Sequence, residues 1–398
     1  MPSIQSTNRG SVLLILLVAA IMIGCSAENE QSAESSVRKL VVPIHYRGSP
    51  KGEVLKRLCE IGSERSEILL GQNIGCTSDG PTELRDALKS VSILNRDGSY
   101  PAVVGIDYGW GEMDRESIRA ANRLLIAHWK RGGLVTINFD PGNPLTGIPD
   151  PNDITPIDIY RLCESGTEEN DTFMRQLETV AEGLQELQRA GVVVLWRPIH
   201  EPNGGWFWWC SHDPDSNRWT SPKEYRMLWK FIHRELTKTH GLDNLLWVYS
   251  PAAMADASIR PTDWYYPGDD YVDVIGIDLY TDHLDLAHID ARGGYSRLRK
   301  FGKPMALCEI GGRTHDGRMD TLACLDAVLE CCPDAKYMLF WHSWGPANNR
   351  SRVAIPDCRN PKKLMNDPRV LLVRDNDAVS QMEKVVPAKH KASDRQSE

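Results

Sequence analysis

The chain has 398 residues, with 46 lysines and arginines against 54 aspartates and glutamates, for a formal charge of -8. Its 41% hydrophobic and 25% charged residues describe a globular body and exclude a disordered or fibrous chain. The acidic balance offers nothing to a phosphate backbone, so no nucleic-acid partner is expected. Twelve tryptophans and twelve tyrosines stand against six phenylalanines, a bias toward flat rings that can meet a wet, polar ligand.

Residues 12–24 (VLLILLVAAIMIG) are an unbroken apolar or small run behind a single cation, Arg9. A bilayer crossing needs roughly twenty such residues, so the run reads as a signal peptide over residues 1–24. It stops at Gly24-Cys25-Ser26, which resembles the lipobox of bacterial lipoproteins; Cys25 is then the expected lipid-attachment residue. A plain secretory signal with an incidental cysteine, and a cytoplasmic chain with a buried apolar helix, are the two alternatives. Residues 25–36 are polar and acidic, as a tether from membrane lipid to body requires. The localisation implied is an exported lipoprotein facing the periplasm or the cell exterior.

Nine cysteines follow Cys25, an odd number with no CxxC spacing. One or two disulfides are plausible in an exported protein, whereas a disulfide scaffold at this size is not. No metal site is expected from these spacings.

From residue 68 onward, short apolar runs alternate with longer amphipathic ones. Strands are predicted at 68–73, 101–108, 134–140, 192–199, 244–250, 272–280, 304–310 and 337–344. Continuous apolar runs, rather than strict alternation, fit parallel strands covered on both faces. Helices are predicted most clearly at 115–131, 171–190, 222–239 and 319–331. The third opens on Ser221-Pro222-Lys223-Glu224, a cap, a first-turn proline and a capping-box glutamate in sequence. Eight strand-helix units favour a closed (β/α)8 TIM barrel over an open doubly wound sheet. Residues 37–67 are ambiguous, a helix under the barrel or an extra strand. No composition break divides the body, so a single catalytic domain over 37–375 and a polar tail over 376–398 are expected, as a monomer.

A barrel of this kind places its active site at the carboxyl ends of the strands. Those ends are polar and aromatic here: Asp107-Tyr108-Gly109-Trp110, Asn138-Phe139-Asp140, Arg197-Pro198-Ile199-His200-Glu201, Asp278-Leu279-Tyr280, Glu309 and Trp341-His342-Ser343-Trp344. Glu201 and Glu309 close strands four and seven, on opposite sides of one cup. Two such carboxyl groups suit glycosidic bond cleavage, in which one protonates the leaving oxygen and the other meets the sugar carbon. A separation of about 5–5.5 Å gives a retaining mechanism and about 6.5–9.5 Å an inverting one. Glu201 is the candidate acid/base and Glu309 the candidate nucleophile, with Tyr280 a donor to Glu309. His200, Asn203, Asp107, Asp278, Trp110 and Trp206 are candidate substrate contacts. Arg197 either binds sugar hydroxyls or braces the carboxylates from behind. Trp206, Trp208 and Trp209 cannot all face one groove from adjacent positions. Neither a metal nor an organic cofactor is needed, because the two carboxyl groups supply both nucleophile and proton.

The segment WRPIHEPNGGWFWW (196–209), with VIGIDLY before residue 281 and KPMALCEIGG from residue 303, resembles glycoside hydrolase family 26. The resemblance covers roughly residues 40–350. It implies a (β/α)8 enzyme with a retaining mechanism, most often a β-1,4-mannanase acting on mannan, glucomannan or galactomannan. It matches Glu201 to the acid/base, Glu309 to the nucleophile, His200 to the histidine before the acid/base and Tyr280 to the tyrosine beside the nucleophile. It also matches Trp206 to an aromatic of the cleavage region and Trp341 to the strand-eight tryptophan under the sugar. The chain departs from the pattern at TINFDPGNP (136–144), where Phe139 and Asp140 replace Trp and His, altering an expected sugar contact on the non-reducing side. His342 stands where an arginine often follows the tryptophan. These departures keep β-1,3-xylan, mixed-linkage β-glucan and end-acting release of mannobiose open as alternatives. A non-catalytic carbohydrate-binding lipoprotein is the reading of another class, although a binder has no need of two opposed glutamates; a barrel aldolase lacks a strand-end lysine and a phosphate cradle.

Overall fold

Eight apolar runs of the sequence form eight parallel strands in a computed structural model that describes residues 43–62, 66–213, 218–253 and 258–374. The strands are β1 Ile68–Cys76, β2 Val103–Gly109, β3 Leu134–Asp140, β4 Val194–Pro198, β5 Leu245–Tyr249, β6 Val274–Tyr280, β7 Met305–Gly311 and β8 Ala335–Phe340. Each pairs with its neighbour, and β8 returns to β1, with Leu69 opposite Tyr337 and Gln72 opposite Phe340. The sheet is therefore a closed ring, the (β/α)8 barrel that the alternation predicted. Two short strands, Tyr100–Pro101 and Val370–Val373, extend the sheet beside β1. The expected signal peptide, the tether with Cys25, and the tail at 376–398 lie outside the described residues.

Strand parity sorts the apolar residues into two cores. Leu69, Val103, Leu134, Leu195, Leu246 and Val274 cluster together, while their successors Leu70, Val104, Val135, Trp196, Trp247 and Ile275 belong to a second cluster with the helices. That alternation is the period-two geometry of a strand, one set filling the barrel and the next facing the helical layer. The ambiguous first segment resolves as a helix, Pro50–Glu60, whose Val54, Leu55 and Leu58 join the interior cluster. Gly71 and Gly105 leave room for Leu339: a Cβ on either would meet its Cδ1 at 3.0 and 3.3 Å.

The outer helices follow their sequence signals. Pro222–Arg234 starts with the expected capping box, Ser221 Oγ accepting from Glu224 N at 3.2 Å and Glu224 Oε2 accepting from Ser221 N at 2.7 Å. It gives way to a π-helical turn at Glu235–Thr239, so the predicted α-helix to 239 stops short. Glu168–Arg189 ends before Gly191, which takes the left-handed conformation at φ +75°. Helix Pro81–Ser92, with a first-turn proline and apolar Leu84, Leu88 and Val91 at helical spacing, adds to the helices predicted most clearly. The eighth strand was predicted too far along: it ends at Phe340, which releases Trp341–Trp344 into the loop at the barrel mouth. Nor do disulfides form among the described residues, where all nine cysteines are free.

Candidate active site

Parity carries upward from the core to the mouth. Interior Leu195 is followed two residues on by Arg197, Thr136 by Asn138, and Gly276 by Asp278 and Tyr280, so each strand delivers a polar group to the same cup. Glu309 is an exception. Ala306 and Cys308 belong to the interior cluster and Leu307 to the outer one, so strict alternation would turn Glu309 outward. The β6–β7 register slips between Leu307 and Glu309, setting Glu309 opposite Asp278. A bulge of this kind re-aims a side chain, and here it delivers the carboxylate to the mouth.

Glu201 reaches the cup differently. β4 ends at Pro198, and the chain then passes through Ile199 at φ +43° and Glu201 at φ +48°. Left-handed backbone costs about 1–2 kcal/mol for a residue bearing a Cβ, and more for a β-branched one. Neighbouring side chains hold the turn. Tyr225 donates to the carbonyl of Ile199 at 2.9 Å and Trp209 to that of His200 at 2.8 Å, while Glu201 N donates to Ser250 O at 2.8 Å. Trp209 thus belongs to the framework, as does Trp208, whose indole donates to Pro141 O at 2.8 Å. Only Trp206 of the three tryptophans lines the cleft.

The cleft measures about 850 Å³, and both Glu201 and Glu309 line it, with His200, Asp278, Tyr280, Trp110, Trp206, Trp341 and Trp344. The two glutamates have unequal surroundings. Glu309 receives the guanidinium of Arg197 on Oε1, the Tyr280 hydroxyl on Oε2 at 2.9 Å, and His200 Nε2 at 3.4 Å from Oε1. Glu201 receives one side-chain donor, the Trp206 indole, on Oε2 at 2.8 Å. Burial, then the field of Glu309, push Glu201 up to about 7 against the lowering pull of His200, Arg197 and Trp206. Glu201 therefore keeps its proton well above the usual carboxylate range and gives it up around neutrality. Burial and then Glu309 also push the Tyr280 phenol well above its usual value, which keeps it a donor.

Behind the carboxylates lies a buried ionic frame. Arg197, 1% exposed, donates to Asp278 Oδ2 and Asn138 Oδ1, each at 2.8 Å, as well as to Glu309. Burial opposes its charge, yet Asp278 and Glu309 outweigh that and keep it cationic. Ser250 donates to the other oxygen of Asp278 at 2.6 Å. His200 Nδ1 sits 2.8 Å from Asp140 Oδ1. Burial works against protonation of that imidazole, but Asp140 and, behind it, Glu309 lift it to about 9.

This frame corrects several expected substrate contacts. Asp140 is fully buried, pairs with His200 across 2.8 Å and accepts from the Trp110 indole at 3.0 Å, so its two oxygens are committed to those rings and not exposed to the cleft. Asp107 is equally buried, accepting from Asn73 Nδ2 at 3.2 Å. Asn203 spends its amide on the backbone of Ala252 and Arg260, tying the acid/base loop to the next one. Arg197 takes the bracing role left open by the sequence. Asp278 edges the cleft with both oxygens already bonded. Sequence reasoning missed Phe207, Asp282, Arg313 and His315 in the cleft wall, which sit on irregular loops without periodicity. Ser250 and Asn138 had a signal, since one closes a predicted strand and the other lies in the polar end of one.

Comparison with known proteins gives the chain a family. Residues 53–374 match the model of glycosyl hydrolase family 26. The chain is 36% identical over 274 residues to a mannan endo-1,4-beta-mannosidase of Bacillus subtilis strain 168, covering 66% of this chain and 72% of the relative. It is 34% identical over 262 residues to mannan endo-1,4-beta-mannosidase A and B of Caldalkalibacillus mannanilyticus, covering 64% of this chain and 49% of that protein. Among solved structures, a Bacillus subtilis mannanase superposes with a TM-score of 0.66 at 30% identity, over 81% of this chain and 92% of that one.

Proposed function

The chain belongs to glycosyl hydrolase family 26, and we propose on that footing that it is an endo-acting, retaining mannan endo-1,4-β-mannosidase. The observation that carries the mechanism is the unequal solvation of two carboxyl groups in one cleft: Glu201 is buried with one side-chain donor and its proton affinity is raised, whereas Glu309 is met by Arg197, Tyr280 and His200. In the first step Glu309 attacks the anomeric carbon as the glycosidic bond breaks, and the leaving oxygen takes the proton of Glu201. In the second, Glu201 as carboxylate removes a proton from water, which displaces Glu309 and restores the sugar's starting configuration. Trp206 and Trp341 offer faces to the apolar side of the sugar rings.

Mannan is the substrate that the relatives' names support, and glucomannan and galactomannan carry the same β-1,4-mannosyl linkages. The test is a panel of these with β-1,3-xylan and mixed-linkage glucan, following product lengths and the first-formed anomer by proton NMR. Early mixtures of β-anomeric oligosaccharides are expected. Mannobiose alone from the start would instead indicate an end-acting enzyme. Glu309→Ala should abolish turnover, while Glu201→Ala should keep measurable attack on aryl mannosides with good leaving groups. Turnover that survives in Glu309→Ala would reject the assignment.

The thirteen-residue apolar run ending before Cys25 supports export and lipid attachment, with the barrel held at a membrane facing its polysaccharide. Incorporation of labelled fatty acid that vanishes in Cys25→Ala tests this. No helix among the described residues is long and apolar enough to cross a membrane.

A further inference from the structure

Two groups of potential metal-binding side chains lie at the barrel mouth. His200, Asp278 and Glu309 converge within 4.8 Å, but the Arg197 guanidinium already occupies the space between the two carboxylates. The second group, Cys76, Asp79 and His342, also converges within 4.8 Å and has no such cation among its bonded partners. All three line the same cleft as the glutamates.

The local structure sets these groups up in a specific way. The β1–β2 register slips between Asn73 and Cys76, which places Cys76 opposite Asp107 at the barrel mouth. Its thiol lies 3.6 Å from Asp107 Oδ2 and 3.9 Å from His342 Nε2. Asp79 is fixed beside it, Oδ2 accepting from the backbone N–H of Cys76 at 2.7 Å. The tautomer of His342 follows from its other nitrogen. Asn73 donates through Nδ2 to a carboxylate, and its Oδ1 accepts from Gly75 N at 2.8 Å, so the amide orientation is determined. His342 Nδ1, 2.9 Å from that oxygen, must then be the donor. The Nε2 lone pair is left free and faces the thiol. A second partner that fixes one imidazole nitrogen so that the other can bind metal is the usual support of a histidine ligand.

We propose that Cys76, Asp79 and His342 form a binding site for a zinc-class divalent cation in the wall of the catalytic cleft, and that an ion bound there obstructs the glycan. The donor set of thiolate, imidazole and carboxylate suits zinc, cobalt or cadmium and not magnesium or calcium. Tetrahedral bonds of roughly 2.3 Å to sulfur and 2.0 Å to nitrogen put those atoms about 3.5 Å apart, within a few tenths of an ångström of the 3.9 Å observed. Binding exchanges the S–H bond for an S–metal bond and releases the proton to water. Because all three residues line the cleft, an ion held by them borders the space a glycan would occupy. Asp107, buried near Asp140 and Glu309, gains from a neighbouring positive charge.

The probe is Co2+ added to the full-length protein, read by its thiolate-to-cobalt charge-transfer absorption in the near ultraviolet. One equivalent should give the band in the wild type, and Cys76→Ser should lose it although the other cysteines remain. His342→Gln should weaken the affinity at least about tenfold, and it keeps the proposal testable if the serine variant fails to fold. A wild type without the band at millimolar Co2+, or a folded Cys76→Ser that retains it, would overturn the site. The binding arm does not depend on the mannanase reading. In the second arm, Zn2+ at saturating concentration should slow mannan hydrolysis by the wild type, and chelation should restore it. Full activity at a Zn2+ concentration that displaces the cobalt band would overturn the obstruction.

Discussion

The indole N–H of Trp206 points at Oε2 of Glu201 from 2.8 Å, on a loop that also brings both residues to the cleft. The bond favours the carboxylate and so works against the proton that catalysis needs. Burial and Glu309 override it, leaving Glu201 at about 7. In the free enzyme the alkaline limb of kcat/KM should therefore fall near that pH, as Glu201 loses its proton.

Trp206→Phe removes the donor but keeps an aromatic face. The pull toward the carboxylate is lost, so the alkaline limb should move to higher pH, and KM should rise as the indole's contact with sugar shrinks. A pH–rate series on a soluble mannooligosaccharide decides it. A limb that moves to lower pH would contradict the role of this bond.

Asp140→Asn probes the buried pair behind His200. Without the aspartate charge, the imidazole should fall from about 9 toward or below neutrality, because burial is then less opposed. The imidazolium beside Glu309 disappears at working pH, leaving Arg197 as its cationic partner. The expected signature is a loss of kcat of about ten- to a hundredfold with little change in KM, and a histidine resonance titrating at lower pH by NMR. A change confined to KM would restore the sugar contact suggested by the sequence pattern.

The difference between those two readings of Asp140 marks what the sequence could carry. Barrel topology was legible because apolar runs and amphipathic runs alternate along one axis, the chain itself. Glu201 and Glu309 were legible because both terminate such runs. Whether Asp107, Asp140 and Asn203 touch ligand or framework depends on neighbours supplied from other strands: Asn73 for Asp107, His200 for Asp140, the Ala252 backbone for Asn203. The bulge that turns Glu309 inward is a relation between two strands, and no residue in either announces it. Likewise Cys76 and His342 are 266 residues apart, beyond any spacing rule.

Tyr225→Phe tests the support of the strained turn. The phenol bonds the carbonyl of Ile199, and both are buried. Leaving that acceptor unsatisfied should cost about 1–3 kcal/mol, seen as a lower urea midpoint. Because Ile199 and Glu201 hold left-handed backbone, relaxation of the turn should also misplace the acid/base and lower kcat on substrates with poor leaving groups. Activated aryl glycosides, which need less protonation, should be affected less.

Glu201→Gln should separate activity from stability. The folded protein holds a proton on Glu201 up to about pH 7, whereas the same group ordinarily releases it near 4.5. Between those values the native state binds more protons than the unfolded chain, so this residue's contribution to stability falls as pH rises through the window. Above it, the wild type carries a buried carboxylate that Gln replaces with a neutral amide of similar shape. The variant should match the wild type near pH 4 and exceed it at pH 8, by at most about 3 kcal/mol, while hydrolysis of mannan falls by about two to four orders of magnitude. Chemical unfolding of both proteins across this range is the measurement. An advantage that is constant with pH would mean that the gain comes from packing, and that the proton on Glu201 is not held by the burial and the neighbouring charge described above.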